Sequence, residues 1–391
     1  MASSQGALNG LKVLDCTHVI AGAYCSMLLA DLGADVIKIE PLGGEVTRGR
    51  AEIPFKPYDF VNRNKRAIAV DMATSEGAQI IRKLAESADI FVENYRPGAL
   101  DRMGLGYEDL NAVNPKLIYA SISGFGQTGP YRNRGGLDLV AQAMSGIMSF
   151  TGEIGSERPV AAGVPLSDLN SGVFTALGIV SAVNHRTNTG EGQYLETSLF
   201  ESAMAYTMWE TGMALTMGVV AEPAGTRHRL AAPYEALKAA DGFLVVGVNS
   251  QKLWGRFCDV IGASDLKDAP EFAENYLRVE NRDALQTKLE AILAAHPVAH
   301  WVELITAQGV PCGPINTITQ ALEDPQATDR GFLQEVDGRT FPRAPITMSQ
   351  TPVALKRGPA TIGEHTSDVL RDAGFSAADI DNLSSKRVIG I

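Results

Sequence analysis

Residues 11–40 read as a strand, a helix and another strand in direct succession, and that order leaves few folds open to the chain. The run LKVLD at 11–15 is short and apolar, the mark of a buried strand. Residues 22–32 carry helical periodicity and stop at Gly33, which stands in the place of a C-cap. ADVIKIE at 34–40 is the next strand. Two strands joined through a helix run parallel, because the crossover brings the chain back to start at the same end of the sheet. The alternation continues with strand 67–71, a helix over 75–87 opened by Ser75, strands 89–93 and 116–121, and helices 137–150 and 169–185. This part of the chain predicts an α/β fold with a doubly wound, Rossmann-like domain.

The pattern changes after a helix at 198–217. A strand at 241–249 precedes helices at 251–261, 282–294 and 298–307, and GVPCGPI at 309–315 reads as a turn between helices. These predict a smaller α+β domain. The tail from 341 holds short strands and helices at 365–373 and 377–383, apolar enough to pack back on the first domain. The expected boundaries are 1–224 for the large domain, 225–325 for the small one and 326–391 for the returning segment.

Composition narrows the function. A net charge of −11 argues against broad nucleic-acid or anionic-membrane binding, so an anionic ligand would need a local basic cluster. The four cysteines (Cys16, Cys25, Cys258 and Cys312) have neither C-x-x-C nor zinc-type spacing and read as reduced thiols of a cytoplasmic protein. MASSQGALNG lacks a charged region followed by an apolar run, so no secretory leader is expected, and no stretch reaches 18 uninterrupted apolar residues. No H-x-x-x-H or H-E-x-x-H occurs, and His228 and His365 have no acidic or cysteine partner at ligand spacing, so no bound metal is expected. The absence of G-x-S-x-G disfavours an α/β-hydrolase. The first strand–helix turn, Asp15 to Gly22, has one glycine where a dinucleotide site needs three, so Glu40 is a weak candidate for a ribose-binding acid.

Basic residues gather next to predicted strand ends: Arg63, Lys65 and Arg66, then Arg96 and Arg102. Each alone reads as solvated charge; together, on an acidic protein, they suit a phosphorylated ligand. SGFGQTGP at 123–130 is a glycine-rich loop that either cradles an anion or is simply a tight turn. Asp168 opens the apolar helix 169–185. As an N-cap it would contribute about 0.5–2 kcal/mol. As a nucleophile it would carry a covalent acyl group. The residues themselves leave both roles open.

The segments LKVLDCTHVIAG (11–22), LGADVIKIEPLGGEVTRG (32–49), NKRAIAVDM (64–72), VENYRPGALDRMG (92–104), GVPLSDLNSG (163–172), GVPCGP (309–314) and GEHT (363–366), in this order, resemble the family III CoA-transferases. That resemblance implies two chains threaded through one another as an interlocked homodimer. It implies a coenzyme A thioester as substrate, with no tightly bound cofactor. In such enzymes the aspartate of D-x-x-x-G is the nucleophile, here Asp168 with Gly172 four residues on. Coenzyme contacts would fall on His18, Val19 and Ala21, on Val70, Asp71, Met72 and Ala73, on Asn94, Tyr95 and Arg96, and on Arg102. Gly135 and Gly136, or the 124–126 loop, would offer backbone amides to the reacting carbonyl.

The superfamily also holds α-methylacyl-CoA racemases, which use a histidine in G-H-D. This chain has Gly136-Leu137-Asp138, so the transferase is expected over the isomerase, with a non-catalytic CoA-binding protein as a third alternative. Arg50 stands where formyl-CoA transferase has tryptophan and Ile20 where it has glutamine, and residues 225–260 hold no tetraglycine loop. Oxalate and formyl-CoA are therefore disfavoured. Arginines near the implied site (Arg48, Arg50, Arg227 and Arg229) suit a second substrate carboxylate. A dicarboxylate acceptor with succinyl-CoA as donor is expected.

Overall fold

The computed structural model describes residues 5–50 and 52–391, which group into two compact units. The first, formed by the described residues up to 148 with 161–219 and 328–391, is built on a seven-stranded sheet. Six of its seven strands are β1 (Lys12–Cys16), β2 (Asp35–Glu40), β3 (Arg66–Val70), β4 (Ile90–Glu93), β5 (Ile118–Ser123) and β6 (Gln193–Ser198). The remaining strands of the chain, in order, are β7 (Tyr234–Lys238), β8 (Phe243–Gly247), β9 (Cys312–Pro314), β10 (Leu333–Val336), β11 (Arg339–Pro342) and β12 (Ile389–Gly390). The large sheet runs β12-β3-β2-β1-β4-β5-β6 and is parallel throughout, except that β12 pairs antiparallel with β3.

Alternate residues of the strands feed two cores. Leu14, Ile37, Ile68 and Phe91 point to a face covered by Ile80, Ile81 and Leu84 of the Ser75–Ala85 helix and by Val369, Leu370, Ile380 and Leu383 from the tail. Val13, Val36, Ile90, Val92 and Ile118 point to the opposite face, against the Ala21–Asp31 and Leu166–Thr189 helices. Burial on both sides explains why these strands are rich in apolar residues on both faces, with buried Asp15, Lys38 and Glu40 among the exceptions near their carboxyl ends.

The second unit, residues 149–160 and 220–327, holds the antiparallel sheet β7-β8-β9. Its own core is formed by Leu244, Val246, Trp254, Phe257, Leu289 and Ile305. Residues 149–160 belong to it because Gly225 N–H donates to Gly152 O at 3.0 Å and Arg229 lies over the Phe150 ring.

Several local expectations change. The helix over 75–85 is capped by Thr74, not Ser75: Thr74 Oγ1 accepts the Gly77 N–H at 3.0 Å. The helix expected over 137–150 breaks at Gly146 (φ +92°) into Asp138–Met144 and Ile147–Phe150. The helix expected over 198–217 is two, Leu199–Met204 and Met208–Met217. The turn expected at 309–315 contains strand β9, whose pairing partner β8 is far away in sequence.

Candidate active site

The chain runs from β1 outward through β2 and β3, then returns to the other side of β1 as β4. Reversal of strand order opens a crevice at the carboxyl ends of the two strands where it happens, here β1 and β4. Cys16 and Glu93 are paired at those ends. One step further, His18 N–H donates to Asn94 Oδ1 at 2.7 Å and Asn94 Nδ2 donates back to His18 O at 2.8 Å. The His18 ring meets Tyr95 edge-on at 4.6 Å between centroids. Burial, reinforced by Lys38, lowers its pKa, so the imidazole is neutral at physiological pH.

A buried charge network lies under this turn. Asp15 Oδ1 accepts from Thr17 N–H (2.9 Å) and Thr17 Oγ1 (2.6 Å). Asp15 Oδ2 accepts from Ser26 Oγ (2.6 Å) and Lys65 Nζ (2.9 Å), with Lys38 Nζ 3.5 Å from Oδ1. Burial alone would raise the Asp15 pKa, but the two lysines and the hydroxyl donors hold it well below the carboxylate range. Burial pulls Lys65 down to about 8, partly offset by Asp15.

Asp168 arrives from the other side. The Leu166–Thr189 helix begins after Pro165, so Asp168 is its third residue and not the N-cap. Pro165 takes the N-cap position, so the helix starts three residues earlier than an Asp168 cap would imply. The capping work falls to Asp138 on the neighbouring helix. Its Oδ1 accepts Ser167 N–H at 2.7 Å, while Oδ2 accepts from Gln142 Nε2 at 2.8 Å. Gln142 Oε1 in turn accepts Ala162 N–H at 2.9 Å and pins the approach to the helix. Gly172, one turn beyond Asp168, brings the helix against the first turn of Ala21–Asp31. A Cβ at Gly172 would lie 2.7 Å from Ala21 O. The D-x-x-x-G spacing thus sets the carboxylate beside the His18–Ala21 turn.

A cavity of about 190 Å³ forms where these parts meet. Of the residues singled out from sequence, it brings together His18, Val19, Ala21, Asn94, Gly136 and Asp168. Gly124 and Gly136 touch backbone to backbone there; a Cβ on Gly124 would sit 2.5 Å from the Gly136 Cα. Arg96 lies alongside Gly135, its Nη2 3.7 Å from where a Cβ would be.

Val70, Asp71, Met72 and Ala73 stand at the end of β3 and do not line the cavity. Val70 and Met72 belong to the core, and Met72 Sδ is 3.9 Å from Cys16 Sγ. Arg102 is exposed beside Gly98. Arg48 is committed elsewhere: it donates from Nε (2.7 Å) and Nη2 (2.5 Å) to Glu40 and also reaches Tyr58 and Ala360 O. Arg50 is exposed. Arg227 is engaged by Glu235 and Asp283 within the second unit, and Arg229 donates to Glu222 O. The sequence did not reveal Asp138 and Gln142 as supports of the nucleophile helix. The available signal was their i, i+4 spacing alone, on a segment more than twenty residues before GVPLSD.

No hydrogen bond reaches the Asp168 carboxylate among the described residues. Burial first, then repulsion from Asp138, raises its pKa to about 7. Activity that needs the carboxylate form therefore rises with pH through about 7. The kcat/KM profile should show that limb, and a flat profile down to pH 5 would contradict it. The sign for stability is opposite. A raised folded-state pKa contributes stability that is complete below 3.8 and lost as pH climbs through about 7. Asp168→Asn should thus gain Tm over the unmodified protein, and the gain should grow from pH 5 to pH 8.

The family model for CoA-transferase family III matches residues 8–366, and the chain belongs to that family. It is a CoA-transferase. It is 36% identical to the succinyl-CoA:glutarate CoA-transferase of Mus musculus over 99% of this chain and 91% of that protein. It is 39% identical to the acetyl-CoA:oxalate CoA-transferase of Acetobacter aceti over 89% of this chain and 90% of that protein. A crystal structure of a CAIB/BAIF family protein from Brucella suis superposes with a TM-score of 0.86 at 34% identity, covering 94% of this chain and all of that one.

Proposed function

We propose that the protein is a cytoplasmic homodimer that moves CoA from an acyl-CoA, succinyl-CoA by preference, to a dicarboxylic acid through an aspartyl-CoA thioester on Asp168. The observation that carries this is an Asp168 carboxylate that accepts no hydrogen bond among the described residues, part-buried in a cavity at the sheet's switch point, where burial raises its pKa. A carboxylate already stripped of part of its solvation is a better nucleophile than one in water.

An Asp168 oxygen attacks the thioester carbonyl; the C–O bond forms, the C–S bond breaks and CoA thiolate leaves a mixed anhydride. The thiolate then attacks the aspartyl carbonyl, forming the aspartyl-CoA thioester and releasing the donor acid as its carboxylate. The acceptor carboxylate attacks that thioester, expelling thiolate and forming a second anhydride. Thiolate attack on the acceptor carbonyl gives the product and restores Asp168. The overall reaction exchanges one thioester for another of similar energy, with no change of oxidation state, so the chemistry needs no redox group. Gly124 and Gly136 line the cavity, and their segments would supply backbone amides to the oxyanions. Asn94, Tyr95 and Arg96 follow β4 and hold the coenzyme beside the His18–Ala21 turn, with residues 70–73 and Arg102 reached by its more distant parts.

The dimer is supported by the outer side of the nucleophile helix. It leaves Val173, Leu177 and Val180 exposed, and the Met208–Met217 helix adds Met208, Leu215 and Met217. Apolar surface of this extent marks an interface, and a second copy is the occupant that suits two apolar helix faces. The four free thiols, three of them buried, suit a reducing compartment.

Succinyl-CoA should support transfer to glutarate, mesaconate, itaconate, citramalate or malate at least about tenfold faster in kcat/KM than to matched monocarboxylates. Oxalate belongs in the same panel because of the Acetobacter aceti relative. A monocarboxylate as best acceptor would overturn the substrate class, and α-deuterium exchange without any acceptor would restore the isomerase.

A further inference from the structure

Val19 is a β-branched residue with φ +61°, the left-handed region that such side chains avoid. A strained residue persists only where its surroundings hold it. One hold is the Asn94 clamp on the preceding residue. The other is Glu45, whose Oε2 accepts the Val19 N–H at 3.1 Å. The Glu45 side chain is only 1% exposed, with Lys38 Nζ 3.9 Å from Oε2 and no hydrogen-bond partner for Oε1. Its segment is rigid: Glu45 N–H donates to Glu40 Oε1 at 3.2 Å, and Glu40 is gripped by Arg48 and Tyr58. Burial raises the Glu45 pKa, offset in part by Lys38 and the Val19 amide. Removing the Glu45 carboxylate alone leaves the Val19 N–H without its acceptor and Lys38 with one fewer carboxylate, so the exchange carries a stability cost that a variant losing only the charge would share. Glu45 does not line the cavity, so its role there runs through Val19.

We propose that Glu45 is a positioning residue for CoA transfer: its carboxylate holds the Val19 amide, and with it the left-handed turn that presents residues 18–21 to Asp168. The role rests on the assignment of that cavity as the transfer site. Glu45→Met removes the acceptor while keeping the volume, whereas Glu45→Gln keeps an oxygen for the Val19 N–H.

The expected results for Glu45→Met are a folded protein with a Tm several degrees lower, from the charge lost beside Lys38, and a kcat/KM, measured well below that Tm, about tenfold or more lower. Glu45→Gln should recover most of the lost activity at a similar Tm. Amide exchange of the 17–21 peptide, followed by mass spectrometry, should quicken in Glu45→Met and not in Glu45→Gln. Unmodified kcat/KM and exchange in Glu45→Met would overturn the proposal, as would activity losses that simply track Tm across both variants. If the unmodified protein transfers no CoA, the function assignment fails, while the exchange comparison still decides whether Glu45 holds the turn.

Discussion

Asp168→Asn removes CoA transfer and leaves a folded protein. The loss in kcat should be at least about a thousandfold, because a residue that forms the covalent intermediate has no substitute in the pathway. Asparagine keeps the shape of the side chain and the helix start, which depends on Pro165 and on Asp138 holding Ser167 N–H. It also removes the charge that burial and Asp138 disfavour. Activity and stability therefore move in opposite directions, which separates loss of a nucleophile from loss of fold. Coenzyme binding should persist, since the His18–Asn94 clamp is untouched. A variant retaining more than a few per cent of the rate would remove Asp168 from the chemistry.

Asp15→Asn should have the largest effect on stability. Asp15 is fully buried between Lys38 and Lys65, themselves buried. Removing one partner of a buried ion pair strands the other, at a cost of about 3–5 kcal/mol. Here two ammonium groups lose their shared counter-ion, and Glu45, 3.9 Å from Lys38, is the remaining carboxylate close by. The Thr17 hydrogen bonds weaken as well, so the turn carrying His18 and Val19 loosens and activity falls with stability. Urea unfolding followed by circular dichroism measures the change. A shift below about 1 kcal/mol would show that the network contributes little.

The parallel sheet was legible because β1 to β5 are buried on both faces and written in apolar residues. β6 escaped notice. Its sequence QYLETS is half exposed at the sheet edge, and alternation there is too weak to separate strand from loop. Asp168 stood out as a lone carboxylate on an apolar helix, with capping and nucleophile roles both open; the cap is excluded because the helix starts sooner, after Pro165. Asn94 entered through family resemblance alone. Its partner His18 is 76 positions away, a distance no local pattern spans. Glu45 and Asp138 stayed hidden for the same reason, since they act on Val19 and Ser167 across 26 and 29 residues. Arg48 shows the converse. Its charge was plain in the sequence, but its tie to Glu40 became visible only with the fold.

Trapping the intermediate tests the central claim most directly. The protein is incubated with succinyl-CoA, treated with hydroxylamine or borohydride, digested and analysed by peptide mass. The account predicts a hydroxamate or reduced side chain on the peptide carrying Asp168, formed only when acyl-CoA is present. An unmodified Asp168 peptide under conditions of active transfer, or the adduct on another residue, would contradict it.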